Sequence, residues 1–411
     1  MTTSHANPQE NGSLVHWLLK QGLEGAEQQE ILEGYCVRLV EAGVPLVRFH
    51  AAQSAFHPTY GGTGYSWYRD QDSEHENYEH RDVPQEQWLA SPLYELLRTG
   101  SSELREKLVD QNESSRFPLL NELREKGATD YVAMAVVLEK LTPGAPIDPE
   151  NVPEGVLLSW TTDHTGGFED SHLSFIRSGL PYLGLALKSA ANRKMAQDLL
   201  RVYLGRDAGH RVLSGEIRRG SLQKIDAVIW NFDLQDFTSL SERIPGPEII
   251  AMLNDYLAVA VDVVESCGGN ILKFMGDGLM AMFDVGEIEE DVQAALQAVT
   301  ILQRRMAEKS AERETAGLPA ANYTLALHAG EILYGNIGAE SRLDFTVIGP
   351  AVNQTARIAG MHRALDQRIL ISDDVARAAG SGGQDLVSLG RYMLRGVPEP
   401  KELFTLYSPS G

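Results

Sequence analysis

Apolar and polar positions alternate along this chain with a period that changes from segment to segment. From Leu14 to Ala42 apolar residues recur at helical spacing, as one or two amphipathic helices interrupted between Gly22 and Gly25. Residues 45–53 and 64–69 read as strands, and the charged run 72–87 as a loop. Segments 93–108 and 117–126 have helical spacing, 131–138 and 156–162 read as strands, and a helix is expected over 168–189. Ala196, Leu199, Leu200, Tyr203 and Leu204 then continue at helical spacing. Such a stripe can pair with the same helix of a second protomer or lie on its own domain. Gly205, Gly209 and Gly215 break the pattern, among Arg206, Arg211, Arg218 and Arg219.

Beyond this junction the spacing predicts a strand over 225–233, a helix over 246–266, a hairpin over 270–284 and a helix over 289–310. Strands at 322–332 and 343–348, a helix over 350–363 and a final hairpin near 385–408 follow. The order β-α-β-β-α-β is the ferredoxin-like arrangement. The fold class is therefore α+β. Four regions result: a polar N-terminus (1–12) expected to be disordered, a first domain (13–189), a helical linker (190–221) and a C-terminal domain (222–411).

Composition narrows the function. A chain of 411 residues with 43% apolar content is long enough for two or three packed domains. Its formal net charge of -21 argues against nucleic acid and against anionic lipid as partners. No apolar run reaches the length that spans a bilayer, and the first residues lack the basic start and apolar core of a signal peptide. With only Cys36 and Cys267, far apart, there is no disulfide framework. A cytoplasmic location and no membrane insertion are expected.

Candidate chemistry concentrates in two places. Strand 225–233 ends on Asp233, and the hairpin carries Lys273-Phe-Met-Gly-Asp277-Gly278. Gly276 and Gly278 flank Asp277, so the backbone can turn sharply and leave the carboxylate at the strand end. Two strand-end carboxylates on neighbouring strands suit hard divalent cations, which take oxygen ligands and keep part of their shell for phosphates. Asn353 and Arg357 are four apart on an expected helix and so share one face.

These residues fall into three motifs in order: Phe232-Asp233-Leu-Gln-Asp-Phe-Thr238, Lys273-x-x-Gly-Asp277, and Gly349-Pro-Ala-Val-Asn353-x-x-x-Arg357. The segment from about Ala227 to Tyr407 thereby resembles a class III nucleotidyl cyclase catalytic domain. The resemblance implies an adenylate cyclase with two Mg²⁺ or Mn²⁺ ions per site, held by Asp233, Asp277 and the carbonyl of Leu234. Gln235 to Thr238, with Phe237 and the Thr238 hydroxyl, would wrap the phosphates. Lys273 and Thr346 would read the base, and Lys with Thr favours ATP over GTP. Asn353 would orient the ribose, Arg357 would stabilise the pentavalent phosphate, and Arg395, with Lys401 behind it, would bind the outer phosphates. One departure stands out: Asp236 occupies a place where the family usually has glycine. In the family, Asp233 and Asp277 come from one subunit and the other residues from its partner, so a homodimer is implied. A catalytically silent nucleotide-binding regulator is the alternative reading.

The first domain is less determined. Gly167-Phe-Glu-Asp-Ser-His-Leu-Ser-Phe-Ile-Arg177, running into 180–187, resembles the closing helix of a GAF-type sensor domain. That resemblance implies an antiparallel sheet with helices on one face, a small-molecule ligand and a regulatory role. His50, His57, His75, His80 and Cys36 among many aromatics bring a haem or metal sensor to mind, but their spacing fits no standard metal motif and an aromatic core is favoured.

Overall fold

A computed structural model describes residues 8–55, 57–81, 83, 85–109, 114–138, 154–380 and 386–406. Backbone contacts divide the chain into two units, Met1–Asp198 and Leu199–Gly411.

The first unit opens with helices α1 (Pro8–Glu24) and α2 (Gln28–Glu41). Strands β1 (Arg48–Ser54), β2 (Tyr60–Tyr68) and β3 (Gln71–Glu79) follow, then α3 (Glu86–Leu89), α4 (Pro92–Thr99), β4 (Glu103–Lys107), α5 (Pro118–Glu125), β5 (Asp130–Val137), β6 (Gly155–Thr162) and α6 (Asp170–Leu204). The strands form one antiparallel sheet in the order β3-β2-β1-β6-β5-β4. Alternation splits each central strand between two cores. Phe49, Val132, Leu158 and Trp160 face α1, α2 and α6, whereas Tyr131, Ala133 and Leu157 face α4 and α5. Helices therefore lie on both faces, not on one as the sequence suggested.

Two sequence expectations are corrected here, and both concern edge strands. The charged run 72–87 supplies β3, which pairs only with β2 and is exposed along most of its length. A strand with no covered face needs no apolar alternation, and charge on an edge discourages unwanted pairing. At the opposite edge, the helix expected over 93–108 ends at Gly100, which takes the left-handed C-cap conformation (φ 65°), and the remainder becomes β4. Helix α6 runs without a break through residues 190–204, the first part of the expected linker.

The second unit contains α7 (Arg206–Leu213), β7 (Leu222–Leu234), α8 (Phe237–Ser241), α9 (Gly246–Ser266), β8 (Asn270–Met275), β9 (Gly278–Phe283) and α10 (Ile288–Thr315). It continues with β10 (Tyr323–Ala339), β11 (Arg342–Ile348), α11 (Pro350–Ala359), α12 (His362–Leu365), β12 (Ile369–Ser372), α13 (Asp373–Ala379), β13 (Leu386–Tyr392) and β14 (Lys401–Leu406). Its eight-stranded sheet runs β13-β14-β12-β10-β7-β9-β8, with β11 paired to β10. The inner order β10-β7-β9-β8 is the ferredoxin-like order for a βαββαβ unit, all neighbours antiparallel. Strand β7 is buried on both faces: Val228, Trp230 and Phe232 pack under α9 and α10, and Ala227 and Ile229 pack against Ala208 of α7 and Ala351 of α11. Gly205, at φ 86°, separates α6 from α7. A Cβ on Gly209 of α7 would sit 3.0 Å from the backbone of Leu200, so α7 lies close against the end of α6. Leu204 also packs on the second unit's core, while Tyr203 is 77% exposed.

Candidate active site

The two acids meet because of strand register. Asp233 on β7 stands opposite Gly278 on β9, the residue after Asp277. Strands β8 and β9 are joined by the two-residue turn Gly276-Asp277, with Gly276 at φ 69° in the first turn position, where a type II′ hairpin needs glycine. Gly278 serves a different purpose. A Cβ there would lie 2.3 Å from the Phe232 carbonyl oxygen and 2.7 Å from an Asp233 carboxylate oxygen. Its lack of a side chain lets β9 come close to Asp233. Partial desolvation, with the Asp277 charge second, pushes the Asp233 carboxyl up to about 6. Asp233 stays open to water on one side.

Leu234 buries its side chain against the α9–α10 core. Beyond it the chain turns. The Gln235 N–H donates to the Asn322 carbonyl (2.7 Å), so that amide is already engaged. Asp236 takes φ 54° and ψ 24°, the left-handed conformation that Asp tolerates better than most residues, and caps α8. Its carboxylate lies 3.7 Å from the exposed Arg363 guanidinium. Phe237 and Thr238 begin α8, whose first-turn amides have no partner within the helix.

Lys273 is exposed on β8, and a register shift between Ile271 and Lys273 sets it opposite Met280. Thr346 on β11 stands opposite Gly335, is 8% exposed, and its Oγ1 has no hydrogen-bond partner. A buried hydroxyl with neither donor nor acceptor nearby costs free energy unless something else fills the role. Asn353 and Arg357 share one face of α11, while Ala351, Thr355 and Ile358 bury the other. Arg357 donates Nη1 to the Gly396 carbonyl (3.4 Å), which brings the exposed Arg395 next to it in the chain. Lys401 is held by Asp373 (3.8 Å) and Asp374 (3.4 Å) and is not free for a phosphate.

Sequence reasoning missed Asn231. It lies two residues before Asp233 on the same face of β7, and its buried Oδ1 has no partner. The signal was present: a lone amide inside an apolar strand.

Among the described residues, no group of three or more His, Cys, Asp or Glu side chains gathers into a metal cluster, and no helix is long and apolar enough to cross a membrane. His75 packs 4.9 Å from Tyr65 and His57 stacks 4.0 Å from Tyr60 in the first unit, both as ring contacts.

Known proteins resemble the second unit. A family model described as the adenylate and guanylate cyclase catalytic domain matches residues 221–408. An adenylate cyclase of Anabaena cylindrica is 37% identical over 145 residues, 35% of this chain and 29% of that protein. The chain thus spans under a third of that relative's length. Similar solved structures include the adenylyl cyclase CyaB from P. aeruginosa (23% identical, 46% of this chain, 97% of that one, TM-score 0.42) and the guanylyl cyclase Cya2 (28%, 46%, 95%, TM-score 0.39). Between residues 221 and 408, then, this chain carries a class III adenylate/guanylate cyclase catalytic domain.

Proposed function

We propose that the protein is an adenylate cyclase that converts ATP to 3′,5′-cyclic AMP and pyrophosphate at a homodimer interface, under control of its first unit. The carrying observation is the register of β7 with β9, which sets Asp233 beside the Asp277 turn within a cyclase-type domain.

The donor set fits hard divalent cations. Two carboxylates whose charges repel, together with the Leu234 carbonyl, offer oxygen ligands only, and substrate phosphates would complete the shell. Two bound Mg²⁺ or Mn²⁺ ions would lower the pKa of the ribose 3′-hydroxyl and neutralise charge on the triphosphate. The chain's own residues do the rest. The α8 amides and the Thr238 hydroxyl hold phosphate oxygens, and Phe237 shapes the turn. Asn353 orients the ribose so that its 3′-oxygen faces the α-phosphorus. Arg357 donates to the α-phosphate oxygens as negative charge builds up there, a transition-state interaction. Arg395, one residue from the Gly396 carbonyl that Arg357 contacts, binds the leaving pyrophosphate. The new O–P bond forms as the bond to pyrophosphate breaks, and the 3′ proton leaves to solvent.

Lys273 and the unpartnered Thr346 hydroxyl support base reading: the ammonium donates to a ring acceptor and the hydroxyl accepts from the adenine amine. Dimerisation is supported by apolar side chains left in water beside these two residues. Phe274 is 54% exposed, Met275 37%, Leu343 39% and Ile348 44%. Apolar surface around a functional site is characteristic of a contact surface. The first unit, an antiparallel sheet closed by α6, supports a GAF-like regulatory role, with α6 and α7 as the transducer.

The test is to incubate the full chain with ATP and Mg²⁺ or Mn²⁺ and measure cyclic AMP. Product that disappears in Asp233→Ala supports the reading. Absence of product from wild type, or turnover unchanged in the variant, overturns it.

A further inference from the structure

The helix-covered face of the first sheet changes character at one end. Toward β6 and β5 it is apolar, with Phe49, Val132, Leu158 and Trp160 packed under the helices. Register carries the same face outward through β2 to β3. Gln53 stands opposite Thr63 and Thr63 opposite Asn77; one row in, Ala51 stands opposite Tyr65 and Tyr65 opposite His75. Directly opposed residues project to one face of a sheet, so a row of three uncharged polar side chains takes the place of apolar packing. Over these two rows the helices do not close on the sheet. A cavity of about 550 Å³ remains, bounded by Gln28 and Leu32 of α2 and by Ala191, Met195 and Asp198 of α6. The α6 residues recur four and then three positions apart, on one helix face. The cavity lies wholly within the first unit, and its volume is that of a small-molecule site.

Gln53 sets the chemistry of the floor. It is 8% exposed, and its Oε1 accepts from Gln28 Nε2 (3.2 Å). Among the described residues its own Nε2 makes no hydrogen bond, and neither do the side chains of Thr63 and Asn77. An amide so nearly buried, with donors left over, needs an acceptor inside the cavity, whether water or ligand. Aromatic faces flank the row. Tyr65, 2% exposed, has its ring 4.9 Å from His75, and His57 stacks on Tyr60 at 4.0 Å with an interplanar angle of 13°. The charged groups at the rim are paired, Lys194 with Asp198 (2.8 Å) and Glu154 with Lys188 (3.0 Å). Glu76 stands opposite Gly64, one position off Asn77, and so projects from the other face.

This lining selects by exclusion. An anion meets no unpaired cation on the floor. Among the described residues no three His, Cys, Asp or Glu side chains gather to hold a metal. An apolar ligand would leave the amides unmet. What matches is an uncharged flat ring with a donor and an acceptor side by side on its edge. A primary amide presents the complementary pair in one plane, which is how Asn and Gln read the edge of a nucleobase. The neighbouring Tyr and His rings suit the ring's flat face.

We propose that the cavity between β1–β2–β3 and helices α2 and α6 binds an uncharged planar heterocycle with an amide- or amidine-type edge, held by hydrogen bonds from Gln53 and Asn77 beside the ring of Tyr65. The proposal is independent of the cyclase reaction and supplies a place and a chemical class for the ligand of the first unit.

The test is a ligand-observed NMR titration of the full chain with nicotinamide and with cytosine, against glucose and sodium benzoate as controls. Glucose offers hydroxyls without a flat ring, and benzoate a flat ring with an anion in place of the amide. Saturable binding of nicotinamide or cytosine, without binding of either control, is expected. Gln53→Leu abolishes it. Asn77→Ala weakens the affinity about fivefold, as loss of one neutral hydrogen bond does. No saturable binding of either ring, or undiminished binding in Gln53→Leu, overturns the site; the second result would place the ligand elsewhere, the nucleotide site included. Binding of glucose or benzoate as tight as that of nicotinamide overturns the chemical class. If Gln53→Leu does not fold, Asn77→Ala, a change on an exposed edge strand, decides: unchanged affinity overturns the site as well.

Discussion

Gly278→Ala is the sharpest perturbation of the proposed site. The added Cβ would stand 2.3 Å from the Phe232 carbonyl oxygen, and contacts under 3.0 Å essentially never occur. That oxygen belongs to the backbone of a strand buried on both faces, so it cannot swing aside. Strand β9 must retreat from β7 by about 0.7 Å to restore even the 3.0 Å limit. Overpacking of this kind costs about 1–3 kcal/mol, or roughly 2–12 °C in melting temperature for a unit of this size. The catalytic effect should be larger, because the shift falls between Asp233 and the Asp277 turn. A misplacement approaching 1 Å in a reacting constellation costs about a hundredfold in rate. Gly276→Ala is the control. Its Cβ would meet nothing within 4 Å, and only the φ of 69° is strained, at about 1–2 kcal/mol. Cyclic AMP formation and thermal unfolding of both variants separate strain from misplacement. The reasoning fails if Gly278→Ala turns over ATP like wild type, or if both variants lose activity equally at matched stability.

Other consequences can be checked as directly. Asp233→Asn should lower cyclisation at least about a hundredfold yet melt no lower than wild type at pH 7 without metal, since it removes one of two repelling carboxylates; a lower melting point would refute that repulsion. Thr346→Val should leave the fold as stable or more so, because it deletes a buried hydroxyl without a partner, while narrowing the preference for ATP over GTP by about fivefold to thirtyfold; unchanged preference removes Thr346 from base reading. Asp236→Gly should lower the KM for metal–ATP with little change in kcat, because the exposed pair with Arg363 is worth at most about 1 kcal/mol and a negative charge leaves the phosphate loop; an unchanged KM shows that Arg363 already neutralises it. For His50 the sign runs against acid: its folded pKa, about 3, lies below the unfolded 6.5, so the stabilising neutral form is complete above 6.5 and is lost as pH falls. At pH 5 this single group should cost about 2 kcal/mol, read as a lower melting temperature that His50→Gln attenuates.

Much of the catalytic unit was legible because its strands are buried and its helices amphipathic. The helix expected over 246–266 has those bounds in the structure, and the hairpin spans 270–283. Burial on both faces of β7 leaves a continuous apolar run, and the acid that interrupts it marks the strand end. In the first unit the four inner strands were found and the two edge strands were not. Edge strands β3 and β4 lack two covered neighbours, so nothing in them must be apolar, and their sequences read as a charged loop and a helix tail. Register is the other thing sequence could not supply. Gly278 was visible as a turn glycine, but its true constraint, close approach to Asp233, exists only once β9 is laid against β7.

The acid pair announces itself in one dimension, since charge in an apolar strand is conspicuous and both acids sit in short motifs. A buried polar atom without a partner, such as Trp230 Nε1, argues little by itself, because it is a single polar tip on a large apolar body. Thr346 differs in its place: its orphaned hydroxyl stands on β11 at the position where substrate recognition is expected, and a small side chain has no large apolar body whose burial would offset the lost hydrogen bond.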